Sequence, residues 1–137
     1  MSSPDAQPAG GTVIQRRTVL VVEDEELLRA VLCRHLVHAG YDAIEARHGR
    51  EALKLLKGGR AVDLVLTDMI MPLMDGAELV LEIRRRWPEL HILAMSACTP
   101  AELFGFGIPH VDGPFLQKPF TSQDLIAAVA GALGDAA

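Results

Sequence analysis

Aromatic side chains are scarce in this sequence: one Trp, one Tyr and four Phe. It therefore lacks the stacking platform on which single-stranded nucleic acid is held. A basic excess is missing too, since 13 Lys and Arg stand against 18 Asp and Glu, for a formal net charge of -5. Phosphate backbones select basic patches, so direct DNA binding is not expected. The two cysteines, Cys33 and Cys98, make neither a CxxC pair nor a disulfide framework. No apolar run approaches the ~18 residues of a membrane span. Met1 to Gly11 has neither the basic nor the apolar region of a secretory signal. A cytoplasmic location, with both thiols reduced, is the expectation.

What is present fits one soluble α/β domain: 137 residues, half of them apolar and 23% charged. Residues 1–16 are rich in Ser, Pro, Ala and Gly without periodicity and are expected to be a disordered lead. Residues 17–133 form the domain, and 134–137 a short tail. Thr18 to Val22 is β-branched and apolar without alternation, as a central parallel strand buried on both faces should be. A helix over Glu25 to Ala39 is expected to bury Leu28, Val31, Leu32, Leu36 and Ala39, with Gly40 closing it. Tyr41 to Ala46 reads as a second strand and Arg50 to Lys57 as a helix ended by Gly58-Gly59. Val62 to Thr67 is the third strand. A loop with Asp75-Gly76 leads to a helix carrying Leu79, Val80, Ile83 and Trp87 that Pro88 stops. His91 to Met95 and Phe115 to Gln117 complete five strands, the last placed at an edge by Pro114. Thr121 caps a final helix with Asp124 three residues on.

Five alternations of strand and helix demand right-handed crossovers and a doubly wound parallel sheet. The functional crevice of such a sheet lies beyond the carboxyl ends of its strands. Those ends carry Glu23-Asp24, Asp68, Ser96 and Lys118. Three carboxylates in one crevice repel, and a hard divalent cation on oxygen ligands relieves that, with Mg2+ the natural choice. Phosphoryl transfer needs an in-line nucleophile and cations around the equatorial oxygens. Asp68 is the nucleophile of choice, Lys118 a point charge and Ser96 a hydrogen-bond donor.

Each residue alone has a plainer reading. Glu23-Asp24 could be a solvated turn at a helix start, Asp68 a helix-approach residue, and Lys118 a surface lysine. Their joint occurrence at successive strand ends carries the functional reading. His35 and His38, one turn apart, lack a third ligand and read as solvated side chains. Arg84-Arg85-Arg86 reads as an exposed helix end that favours the C-terminal dipole. No Gly-rich phosphate loop is present.

The stretches Val19 to Glu25, Leu64 to Pro72 with Asp75-Gly76, Leu93 to Ala97 and Lys118-Pro119-Phe120 resemble the receiver domain of two-component response regulators, over roughly residues 17–133. The resemblance implies a flavodoxin-like fold and a phosphoacceptor role for Asp68. Metal would be held by Asp24, Asp68 and the backbone carbonyl of Ile70, with Glu23 helping. Ser96 would turn toward the phosphoryl group, Lys118 would pair with it, and Lys118-Pro119 would be a cis peptide. The phosphoryl donor would be a phosphohistidine on a sensor kinase or a histidine phosphotransfer protein.

Three departures from the family pattern stand out. Glu23 replaces the commoner Asp. Phe115 occupies the place of a switch aromatic that is often Tyr, and it cannot donate a hydroxyl hydrogen bond. Gly105, Gly107 and Pro109 fall where the fourth helix should run, at about 1 kcal/mol for each interior Gly and 3 kcal/mol for Pro. A turn or two, Pro100 to Phe104, is expected to be helical, with Phe104 and Phe106 exposed on a mobile face that orders on phosphorylation or partner binding. With little chain after Leu133, the output is expected to be contact with a downstream protein target, either by a free regulator or by a receiver module of a hybrid kinase. A phosphorylation-independent interaction module is the alternative. A haloacid-dehalogenase-type phosphatase would want a second Asp where Ile70 stands, and a flavin-binding domain a phosphate loop after the first strand.

Overall fold

The apolar run Thr18–Val22 forms β1, buried from Val19 onward. A computed structural model describes residues 16–108 and 113–135 of the protein. Expectations for the N-terminal lead, Arg16 apart, and for Pro109 lie outside the described residues. After β1 come α1 (Glu26–His38), β2 (Asp42–Ala46), α2 (Gly49–Lys57) and β3 (Leu64–Asp68). Then follow α3 (Gly76–Arg86), β4 (His91–Ser96), α4 (Pro100–Gly105), β5 (Phe115–Gln117) and α5 (Ser122–Leu133). All strand pairs are parallel and the order is β2-β1-β3-β4-β5. This is the expected doubly wound (βα)5 sheet, with β5 at an edge. The order reverses between β1 and β3, which opens the crevice at their carboxyl ends.

The pleat sorts β1 between two cores. Val19 and Val21 pack with Leu32 and Leu36 of α1 and with Leu125, Val129 and Leu133 of α5. Leu20 and Val22 face the opposite side, with Ala52, Leu53 and Leu56 of α2 and Leu79 and Ile83 of α3. Each fully buried Leu or Val contributes about 1.5–3 kcal/mol of transfer free energy, which is why the strands need no alternation.

Helix α1 corrects one expectation. Leu32 and Leu36 are buried, but Val31 is 38% exposed and Ala39 is also exposed. The inward stripe runs instead through Arg29, Leu32 and Leu36, spaced at i, i+3 and i+7, so an arginine takes a core-facing position.

The fourth helix is as short as Gly105 and Gly107 suggest. Thr99 and Glu102 form a reciprocal capping box, and Pro100 sits in the first turn, where its missing N–H costs nothing. Gly107 then adopts φ +86, and Ile108 N–H bonds the carbonyl of Leu103 at 3.0 Å. Leu103 is fully buried against Met69 and Ala94, whereas Phe104 and Phe106 are 68% and 71% exposed.

Asp75 caps α3 in a second capping box, and Gly76 follows it. A Cβ on Gly76 would collide with the Asp68 carbonyl oxygen and would lie 2.5 Å from the Met69 Cα. The helix start is thus pressed against the backbone of the β3 terminus. Gly76→Ala should destabilise the protein by about 3 kcal/mol through this backbone clash. Helix propensity alone would favour Ala by up to about 1 kcal/mol. Urea unfolding distinguishes the two by sign.

Candidate functional site

The strands that border the crevice deliver polar side chains at their carboxyl ends. β1 runs into Glu23 and Asp24, β3 ends in Asp68, β4 ends in Ser96, and Lys118 follows β5. The first link that joins them is an ammonium. Lys118 Nζ donates to Glu23 Oε1 and to Asp68 Oδ2, both at 2.8 Å. Its side chain is 19% exposed, against 2% for Glu23 and 10% for Asp68. Asp68 Oδ1 also accepts from Ile70 N–H at 3.0 Å, so both its oxygens are engaged. Lys118 N–H bonds the Ser96 carbonyl at 2.8 Å, which fixes the base of the lysine to the end of β4. The Lys118-Pro119 peptide is cis, as expected.

Burial and pairing oppose each other here. Desolvation raises the Glu23 pKa above its ordinary value of 4.5, although the Lys118 ammonium and the Glu25 N–H pull it down. For Lys118, desolvation works to lower the pKa, but its two carboxylate partners outweigh it and the value rises above 10.5. Asp24, by contrast, is exposed.

One carboxylate oxygen each from Glu23, Asp24 and Asp68 lies within 4.8 Å of the other two. Three hard oxygen donors with a single ammonium among them suit a divalent cation such as Mg2+. No other group of three or more His, Cys, Asp or Glu among the described residues meets that criterion, and His35 and His38 belong to none. Ser96 is buried, and its Oγ accepts from Cys98 N–H at 3.1 Å, which leaves the hydroxyl proton to donate elsewhere. Phe115 is half-buried against the Met69, Ala94 and Leu103 cluster. Beyond Asp68 the chain turns tightly, with Leu73 at φ 71 and Met74 N–H bonding the Pro72 carbonyl at 2.8 Å.

The family model of the response regulator receiver domain matches residues 19–130. The chain belongs to the response regulator receiver domain family. Curated relatives of this receiver domain include sensor kinase CckA of Brucella abortus, 37% identical over 82% of this chain and 12% of that protein. Response regulator MprA of Mycolicibacterium vanbaalenii is 35% identical over 80% of the chain and 47% of its own length. The chain thus spans less than half the length of these relatives. Among solved structures, a response regulator receiver protein from Sinorhizobium medicae matches with TM-score 0.76 and 32% identity, over 88% of this chain and 96% of that one. Chemotaxis response regulator CheY4 of Vibrio cholerae matches with TM-score 0.77 and 29% identity, over 87% and 100%.

Sequence reasoning named the strand ends that meet in the crevice of this receiver domain but missed two things. Glu23, the departure from the common residue, is the more buried of the acidic pair and holds the lysine. Arg29 was missed altogether, although its place on the Leu32 and Leu36 stripe was a usable signal.

Both pKa shifts run in one direction. The Glu23 value is raised, so its contribution to stability is full below 4.5 and is lost as pH rises through the folded value. The Lys118 contribution is full below 10.5 and is lost as pH rises through its own raised value. Lys118→Met should therefore destabilise the cation-free protein by about 3 kcal/mol at neutral pH, by leaving a buried carboxylate unpaired. The deficit should shrink in acid, as Glu23 takes a proton, and again in alkali, as the wild-type ammonium is lost. Urea unfolding in EDTA across the pH range measures both limbs.

Proposed function

We propose that this receiver domain, spanning 17–133, takes a phosphoryl group from a phosphohistidine onto Asp68 in a Mg2+-dependent reaction and signals through protein contacts. The observation that carries the reading is the Lys118 ammonium bonded at once to Glu23 and Asp68, beside three carboxylates close enough to share a cation. An Asp68 oxygen attacks phosphorus, the P–N bond breaks with its electron pair going to the imidazole, and an aspartyl phosphate forms. Glu23, Asp24, Asp68 and the Ile70 backbone carbonyl would hold Mg2+. When bound, it supplies positive charge to the phosphoryl oxygens and offsets the repulsion among the carboxylates.

Lys118, released from Asp68 as that side chain becomes an acyl phosphate, pairs with a phosphoryl oxygen instead. Ser96 donates its hydroxyl proton to another, and Phe115 follows Ser96 inward. The domain catalyses its own phosphorylation and dephosphorylation and turns over no separate substrate. Likeness to sensor kinase CckA and to hybrid signal transduction histidine kinase A of Dictyostelium discoideum, 34% identical over 94% of this chain and 6% of that protein, supports a histidine kinase as partner. A histidine phosphotransfer protein would serve the same chemistry. Free Cys33 and Cys98 suit a reducing cytoplasm, and no helix among the described residues is long and apolar enough to cross a membrane. The exposed Phe104 and Phe106 at the end of α4 are a surface on which a downstream protein could read the phosphorylated state.

With Mg2+ and acetyl phosphate, the wild-type protein should gain one phosphoryl mass, and beryllofluoride should shift amide resonances around Asp68, Ser96 and Phe115. Asp68→Asn should abolish labelling while leaving the unfolding midpoint within about 1 kcal/mol of wild type, since little volume changes. Full labelling of that variant would assign the acceptor elsewhere. No labelling of the wild type would favour an interaction module that works without phosphate.

A further inference from the structure

Arg29 is only 7% exposed, and the chemistry above makes no use of it. Its Nη1 donates to the main-chain oxygen of Glu23 at 2.9 Å and its Nε to Glu45 Oε1 at 2.9 Å. A guanidinium withdrawn from water is tolerated only when its donors are met, so burial and bonding here imply a fixed geometry. The helix that carries it starts unlike the others. His48, Asp75, Thr99 and Thr121 each accept an N–H of their helix's first turn, whereas Glu25 at the start of α1 makes no such cap.

The turn Glu23 to Glu25 bears two of the three clustered carboxylates. Its other ties are Glu23 N–H to the Ala46 carbonyl at 3.1 Å, Glu25 N–H to Glu23 Oε2 at 3.1 Å, Lys118 Nζ to Glu23 Oε1 at 2.8 Å and Arg29 N–H to the Glu25 carbonyl at 2.9 Å. None of these reaches the Glu23 carbonyl. That oxygen belongs to the rigid peptide plane joining Glu23 to Asp24, so holding it restricts ψ of the first residue and φ of the second together. Those two torsions set the directions in which both carboxylates leave the backbone.

We propose that Arg29 is a positioning residue for the cation site: its fork, braced by Glu45, fixes the Glu23-Asp24 peptide and with it the relative placement of the two acidic side chains. This rests on the reading that Glu23, Asp24 and Asp68 take a divalent cation. The sign of the effect separates position from charge. A guanidinium near the ligands repels a cation, so charge alone makes its removal tighten binding. Loss of a group that orients ligands loosens it, typically by 10–100-fold.

The test is calorimetric titration of MgCl2 into wild type, Arg29→Lys and Arg29→Met at low and high salt, with amide spectra of the cation-free proteins. Both variants should bind Mg2+ at least about tenfold more weakly, and the gap should persist in salt that screens charge. The Asp24 and Glu25 amide resonances should also shift or broaden before any metal is added. Wild-type affinity in Arg29→Lys, which keeps the charge and loses the fork, would overturn the inference, and so would tighter binding in Arg29→Met. A lowered melting temperature with unchanged affinity would reduce Arg29 to a structural tie and overturn it equally. Should Arg29→Met fail to fold, Arg29→Lys decides alone. Wild-type protein that takes up no Mg2+ would remove the cation reading itself, an outcome distinct from any difference between variants.

Discussion

Three carboxylates share the crevice with a single ammonium, and that imbalance of charge governs the rest of the molecule. Glu23 and Asp68 are nearly buried, so their mutual repulsion is poorly screened, and Lys118 relieves only part of it. The arrangement needs β1 and β3 side by side, and it needs β4 and β5 on the far side of β3 to bring in Ser96 and Lys118. An order that moved β1, β4 or β5 away from β3 would separate these groups. The apolar strands serve that end, because burial on both faces locks a register in which every strand stops at the same rim.

Around the rim, short-range devices hold the backbone where chemistry would occur. Asp75 caps α3, and the missing side chain of Gly76 lets that helix start against the Asp68 carbonyl. Arg29 ties the acidic turn to α1 and β2. Thr99 and Glu102 fix the start of α4 close to Ser96. Most of these ties lie on the side of the rim that carries the carboxylates. The α4 side has a single buried anchor, Leu103, with two exposed phenylalanines beyond it.

Much of this was legible in the residues themselves. Unbroken apolar runs marked the buried strands, Gly and Pro marked the truncated fourth helix, and Thr121 with Asp124 marked the start of α5. The strand-end positions of Asp24, Asp68, Ser96 and Lys118 followed from the alternation of elements, because parallel strands must all finish on one side. Rotation of α1 about its axis was misjudged at Val31 and Ala39, since an apolar stripe read by residue type cannot anticipate an arginine satisfied inside the core.

The sequence by itself determined the element order, the parallel winding and the set of polar groups at the rim, because these depend on local pattern and chain connectivity. Only the tertiary structure decided that Glu23 rather than Asp24 lies buried against Lys118, that Asp68 is held by two donors, and that Arg29 braces the acidic turn. Those outcomes depend on distances between residues as far apart in the chain as Glu23 and Lys118. Such distances arise when sheet twist, helix rotation and side-chain packing are satisfied together, and no local pattern encodes them.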